Sequence, residues 1–540
     1  MKKYGIFIAY APDMDLRTEG LGRYLAAFLK AATAKGDCHF SVLCPSWSRP
    51  ALIDLCVEAG IQEHSYALLG PSRTPALLRL HKFLRRPKTL EKKQRRSGWF
   101  VSRIYPAAVA HAEWLKERIA SARSFPALFG WLAYAALLAL PATMALLAIR
   151  LARKTAGITF RRLKQAPRRI WRVLKRLPIA LPSNIPFRLY EGMIARETAL
   201  MIEAGNACGD IAAWYTPAAF WPNVNELKAP VLTCVPDVVM TEFPAGFSEI
   251  GGDPMFHSYQ TVASTLRASK NFVTYSEHIK RDTLVQRFGI DPMAVRIVHH
   301  APNDLSGPIK VTGFPDNEAT SRTYAKSLLL GAIRKASNVG YGSTFGNPEV
   351  KFLFYASQFR PSKNVMTLLR AYEWLLRNRR IGHKLILTGR GDYGSVKAFL
   401  DERKLGADVL CLHALTEPEL SACYSLADLA VNPSLSEGGM PFTFTEALSV
   451  GTPAIMGNIE VTREILTDSA LCEASLFDPY DWRAVADKIE WALNHLDGLY
   501  TQQRRFYDDV LSKRSWHDVV DEHVAILDEM ATCVRRTAPA

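Results

Sequence analysis

A chain of 540 residues with 48% hydrophobic and 22% charged residues is too long for one ordinary core and too balanced for a disordered or fibrous protein. Its formal charge of +15 is concentrated, with fourteen Lys and Arg and no Asp or Glu between Arg118 and Arg188. The rest is nearly neutral; nucleic acid is one partner such a basic block could take, but the apolar run beside it favours an anionic membrane surface. Nine scattered cysteines form no C-x-x-C pair, so neither a zinc site nor a disulfide framework is expected, and reduced thiols in a cytosolic setting are.

In chain order, the first apolar run soon meets Pro12, Asp13 and Asp15, so it reads as a buried strand and not a signal peptide. Strands are predicted near Tyr4–Tyr10, Phe40–Cys44, Ile211–Tyr215, Val231–Val235, Phe272–Tyr275 and Val295–His299. A second series falls near Phe352–Ala356, Leu385–Thr388, Val409–Leu412, Leu429–Asn432 and Pro453–Met456. Short Val-, Ile- and Leu-rich runs separated by helical patterns predict two successive α/β domains, each on a parallel sheet covered on both faces. The boundaries are residues 1–300 for the first domain and 350–500 for the second. Residues 301–349 form a proline-rich linker with a helix around Tyr324–Lys335, and an amphipathic tail over 501–540 packs back on the first domain.

An insertion of about residues 75–186 interrupts the first domain. Ser124–Ile149 is a run of 26 residues without a charge, followed by eleven Lys and Arg from Arg150 to Arg176. Ile170, Trp171, Leu174 and Leu177 recur at helical spacing among those cations, the pattern of a helix lying in a membrane interface. One crossing of a bilayer would separate the two parts of a single sheet, and two crossings would give each arm too few residues, since a span needs ~20. A monotopic attachment to the cytoplasmic leaflet is therefore expected, the competing reading being an apolar helix buried against the domains.

The chemistry-bearing residues sit just beyond predicted strands, where ligands bind in open α/β sheets. Ser434-Leu-Ser-Glu437-Gly438-Gly439-Met440-Pro441-Phe442 leads into a helix carrying Glu446. Its glycines let backbone N–H groups approach a ligand, its helix start favours an anion, and two carboxylates can grip hydroxyls. Tyr355-Ala-Ser-Gln358-Phe-Arg360-Pro-Ser-Lys363-Asn364 likewise leaves a strand and opens a helix, offering two cations to a diphosphate. Leu385-Ile-Leu-Thr-Gly389-Arg-Gly391 and His413 lie between these sites, and Gly20-Leu-Gly22-Arg23-Tyr24 opens a helix after strand one.

These segments resemble the retaining glycosyltransferases of family four, whose signature is a Glu-seven residues-Glu loop, a G-R-x-x-x-x-K-N phosphate site and a G-G-x-G-R loop. The resemblance covers about Lys3–Ile53 and Ile211–Leu527 and omits the insertion. It implies a GT-B fold, two Rossmann-like domains facing across a cleft, with Glu437 at the donor sugar and Glu446 at the nucleotide ribose. Lys363 falls on the family lysine. Gln358 stands where the family has arginine, and Arg360 is assigned to supply that guanidinium. The two glutamates are eight residues apart instead of seven, and the family's middle His-Asp reads Pro236-Asp237, leaving Asp237 as acceptor contact or as a cap. Gly20, Gly22, Gly389, Gly438, Gly439, Met440, Pro441 and Phe442 complete the implied donor site. The implied reaction moves a hexose from a GDP- or UDP-linked sugar to a glycan or lipid-linked acceptor, with retention and without a metal or other cofactor. A GT-B epimerase or phosphorylase, and a membrane scaffold that binds nucleotide without transfer, are the rival readings.

Overall fold

The computed structural model describes residues 2–12, 14, 16, 20–84, 106–138, 140, 185–243, 253–336 and 349–537. The basic stretch Arg150–Arg176, the second half of the uncharged run, and Thr18 and Glu19 lie outside them. The first sheet contains β1 (Lys2–Phe7), β2 (Cys38–Leu43), β3 (Ala67–Leu69), β4 (Trp214–Thr216), β5 (Val231–Cys234), β6 (Asn271–Thr274) and β7 (Val295–Ile297), in the order β3-β2-β1-β4-β5-β6-β7. The second contains β8 (Phe352–Ala356), β9 (Lys384–Thr388), β10 (Val409–Leu412), β11 (Leu429–Asn432), β12 (Ala454–Gly457) and β13 (Leu476–Phe477), in the order β10-β9-β8-β11-β12-β13. Every described pairing is parallel. Parallel strands need crossover helices, which bury both faces and explain the continuous apolar runs. In the second domain Phe354, Ile386 and Leu410 pack on one face, and Leu353, Leu385 and Val409 on the other.

Two strands carry no sequence signal. Ala67–Leu69 and Leu476–Phe477 are short edge strands, three and two residues long, too brief to declare a period. The helix expected around Tyr324–Lys335 starts earlier, at Asn317, where Asp316 caps it by accepting from the Ala319 N–H at 2.9 Å. Leu305, Ile309, Ala325, Leu329 and Ile333 join the second domain's core, so much of the proline-rich segment is packed structure.

After the helix Leu496–Asp509, whose buried Gln503 holds the Ala454 backbone at 2.6 and 3.0 Å, the chain returns to the first domain. The final helix, Trp516–Thr537, buries Val519, Val520, Leu527 and Met530 against that core. Asp528 on it accepts from the Tyr4 hydroxyl, and Arg514 just before it donates to the His299 carbonyl at 2.7 Å. All nine cysteines are free thiols. Within the insertion a helix over 125–138 accounts for the first part of the uncharged run. Among the described residues no helix is long and apolar enough to cross a membrane.

Candidate active site

The turn after β8 explains how a lysine reaches the seam between the domains. Pro361 starts a short 3-10 turn, and Asn364 then takes a left-handed φ of 54° before the helix Val365–Trp374 begins. Asparagine tolerates that conformation better than most residues. Its carboxamide also donates to the Pro433 carbonyl at 3.1 Å and the Pro479 carbonyl at 2.7 Å, tying three loops together. The Leu435 N–H donates to the Ser362 carbonyl at 2.8 Å, and the buried Tyr355 hydroxyl bridges the Lys363 carbonyl and Ser434 Oγ at 3.1 and 3.2 Å. The result is an ion pair at 2.7 Å between Lys363 Nζ and Glu437 Oε1. Burial is the largest single influence and pulls the Lys363 ammonium down, but the Glu437 charge and hydrogen bond, with Tyr355 and Asp237, together outweigh it and hold the lysine charged. Asn364→Ala loses these two hydrogen bonds, a third in which its Oδ1 accepts from Thr367 Oγ1 at 2.6 Å, and the αL preference, so a destabilisation of about 2–3 kcal/mol is expected, with Asn364→Gly milder because it restores the backbone freedom. Urea midpoints of the two variants check this, and equal midpoints would contradict it.

The glycines after Glu437 are where the domains touch. A Cβ on Gly438 would lie 2.0 Å from the Pro236 carbonyl oxygen, and one on Gly439 2.9 Å from Tyr275 Cβ, so no side chain fits either position. Ser276 Oγ donates to the Gly438 carbonyl at 2.9 Å. The helix Phe442–Ser449 follows, with Glu446 on it 1% exposed. Glu446 Oε1 accepts from Arg23 Nη1 at 2.7 Å and from Asn303 Nδ2 at 3.1 Å, both from outside its own strand-helix unit. Arg23 is aimed there by the helix Gly20–Lys35, whose Gly22 leaves room for the Leu16 carbonyl that any Cβ would strike at 1.8 Å. Both signature carboxylates are thus engaged by cations, one from its own domain and one from the other.

His300 closes the seam. Its ring lies 4.4 Å from Phe442 and 5.6 Å from Tyr275, and burial pushes the imidazole down to about 4. His523, fully buried in the final helix against Phe28 and Tyr215, is likewise pushed down to about 4 by burial. Both are neutral in the fold, whereas the unfolded chain protonates them near ~6.5. Their stabilising effect is therefore complete above ~6.5 and is lost as pH falls toward about 4, at up to roughly 3 kcal/mol per histidine. The thermal midpoint should fall between pH 7 and pH 5, and His523→Phe should flatten the fall. A flat profile in the parent protein would refute the assignment.

The remaining expected residues are placed as follows. Arg360 is exposed, and its Nη2 donates to Gln358 Oε1 at 2.6 Å, so the side chain at the family's arginine position orients the guanidinium two residues later. Asp237 follows β5 near enough to Lys363 to help hold that ammonium charged. A Cβ on Gly389 would lie 2.5 Å from the Phe359 ring, so this glycine packs against the phosphate turn. Met440 is buried, Pro441 precedes the Glu446 helix, Gly20 opens the helix that carries Arg23, and His413 is exposed. Sequence reasoning did not assign Asn303, His300, Ser276 or Tyr355. Asn303 and His300 belong to an irregular stretch with no period to read, and their roles depend on the opposite domain. Among the described residues no group of three or more His, Cys, Asp or Glu could hold a metal ion.

Residues 344–505 match the family Glycosyl transferases group 1. The chain is 32% identical over 141 residues to O-antigen chain mannosyltransferase B of Escherichia coli, a match covering 26% of this chain and 35% of that protein. It is 35% identical over 108 residues to O-antigen chain mannosyltransferase RfbU of Salmonella typhimurium, covering 20% and 30% of the two. The chain thus spans about a third of the length of the curated relatives it matches. A glycosyltransferase crystal structure from Rickettsia africae superposes with a TM-score of 0.50 at 12% identity, covering 98% of this chain and 99% of that one. At that identity the likeness concerns the fold, two parallel-sheet α/β domains in the GT-B arrangement.

Proposed function

We propose, from the match of residues 344–505 to the glycosyl transferases group 1, that the chain transfers a hexosyl group from a GDP- or UDP-linked sugar to a glycan acceptor of the cell envelope. The observation that carries this reading is the pairing of Lys363 with Glu437 and of Arg23 with Glu446 along one interdomain seam. A nucleotide sugar is an anion joined to a polyol. It needs cations at its diphosphate and carboxylates at its hydroxyls, and one ion pair beside the seam and one across it hold both kinds of group in place beforehand.

In the reaction the bond from the anomeric carbon to the diphosphate breaks, and the acceptor hydroxyl bonds to that carbon. The hydroxyl proton passes to an oxygen of the departing nucleoside diphosphate, which gains negative charge as its bond to carbon breaks. Lys363, with Arg360 beside it, takes the charge that grows on the departing phosphate. Glu437 orients the sugar through its hydroxyls, Glu446 the ribose, and Asp237 faces the acceptor. The resemblance to the retaining families supports retention at the anomeric carbon, and both curated relatives bear mannosyltransferase names, which puts mannosyl donors first in any panel.

Incubation with a panel of nucleotide sugars, following nucleotide release with and without lipid-linked or polysaccharide acceptors, tests the reading. Release from no donor would overturn it. Because Lys363 and Arg360 can supply the positive charge that a metal would otherwise bring to the diphosphate, activity is expected to survive chelation. Complete loss in chelator, restored by magnesium or manganese, would refute that part alone.

A further inference from the structure

The helix over 125–138 is apolar on both faces, yet only one face is covered. Leu128, Trp131, Leu132 and Ala135, at helical spacing, pack on Ala76, Leu80, Leu115 and Ile119 of the two helices beneath it. Phe125, Phe129, Tyr134, Leu137 and Leu138 point outward, with Phe129 53% and Leu137 64% exposed. A helix that is apolar all round belongs in a core or in lipid, and a contiguous exposed apolar face marks an interaction surface.

The chemistry around that face selects the partner. Arg79 lies over the Phe125 ring at 4.8 Å, and Arg118 over the Trp114 ring at 5.5 Å. Trp114 and Trp131 meet edge to face at 5.4 Å, and Tyr134 hydrogen-bonds His111 at 3.2 Å. The supporting helices Ala76–Leu84 and Pro106–Ser121 also carry Lys82 and Lys116, against the acids Glu113 and Glu117. Apolar side chains outward, Trp and Tyr at the margin and cations over the rings are the composition of an interfacial segment facing anionic headgroups. The described part of this helix, residues 125–138, is ~21 Å long, and among the described residues no helix is long and apolar enough to cross a membrane.

We infer that the outer face of this helix docks the protein on an anionic phospholipid bilayer. The insertion leaves the first sheet just after β3, and in a parallel sheet that is the rim that also bears the Gly20–Arg23 turn after β1 and Asp237 after β5. Docking therefore brings the lipid surface to the acceptor side of the seam, which suits an acceptor carried on lipid. Only this last step rests on the proposed transfer reaction, and the docking stands without it.

Sedimentation of the full chain with vesicles of phosphatidylglycerol mixed with phosphatidylcholine, and of phosphatidylcholine alone, tests the inference. Binding to the mixed vesicles, much weaker to the neutral ones, is expected. Phe129→Ser with Leu137→Ser should lower partitioning by about a hundredfold at an unchanged thermal midpoint, and Leu137→Ser alone by about tenfold if the pair disturbs the helix. Binding that survives these substitutions, or equal binding to neutral vesicles, overturns the inference. So does a self-association that the substitutions abolish without vesicle binding, which would give the face to a second copy, or the absence of both, which would leave the face to the rest of this chain. Donor hydrolysis by parent and variant in vesicle-free solution reports on the transfer reaction separately.

Discussion

Replacing Lys363 with Ala, or Glu437 with Gln, is expected to slow transfer by about 100- to 1000-fold, the usual cost of removing one pre-organised charge contact from a reacting phosphate or sugar. The two residues form a pair at 2.7 Å, with side chains 26% and 17% exposed, so the donor meets groups already partly stripped of water. On the proposed reaction Lys363→Ala removes a cation from the departing diphosphate, and the loss should fall on kcat more than on KM because the charge grows in the transition state. Glu437→Gln keeps the shape and one hydrogen bond but removes the charge that binds sugar hydroxyls and holds the lysine. The double variant should cost much less than the product of the two, since each residue orients the other. Circular dichroism and the thermal midpoint, expected to be close to the parent, separate this from unfolding. Near-parental turnover in both single variants would refute the site.

Most of this site was legible in the sequence because it is local. The turn after β8 and the turn after β11 each place their residues within a dozen positions of a strand whose apolar run declares itself, and the strands β8, β10 and β11 have the expected bounds. What the sequence did not disclose is what crosses the seam. That Arg23 bonds Glu446, that Asn303 shares the same oxygen, and that His300 packs on Phe442 depend on how two separately folded sheets dock. No spacing encodes that docking. The Gln358–Arg360 contact lies within one turn and depends on side-chain rotamers, which spacing does not set either. Edge strands of two and three residues were missed for the opposite reason, since local signal there is too short to read.

The seam pair itself supplies the sharpest stability expectation. Glu446 is buried to 1% exposure, and among the described residues its one ion-pair partner is Arg23, whose own side chain is 39% exposed. Removing one member of a buried ion pair commonly costs ~3–5 kcal/mol because a charge is left uncompensated. Here the two members are unequal. Arg23→Ala strands the carboxylate inside with only the Asn303 amide, although water entering where the arginine stood reduces the cost to about 2 kcal/mol. Glu446→Gln strands only an arginine that can turn to solvent, so about 1 kcal/mol is expected. Combining them removes the buried charge, so Arg23→Ala with Glu446→Gln should be more stable than Arg23→Ala alone. Urea midpoints of the three variants settle the matter, and a double variant less stable than Arg23→Ala would mean that Glu446 is not held in the seam by charge. Because the pair spans the domains, Arg23→Ala should also let them move apart, read as an increase in the radius of gyration by small-angle scattering that Glu446→Gln shares and Gln358→Ala does not.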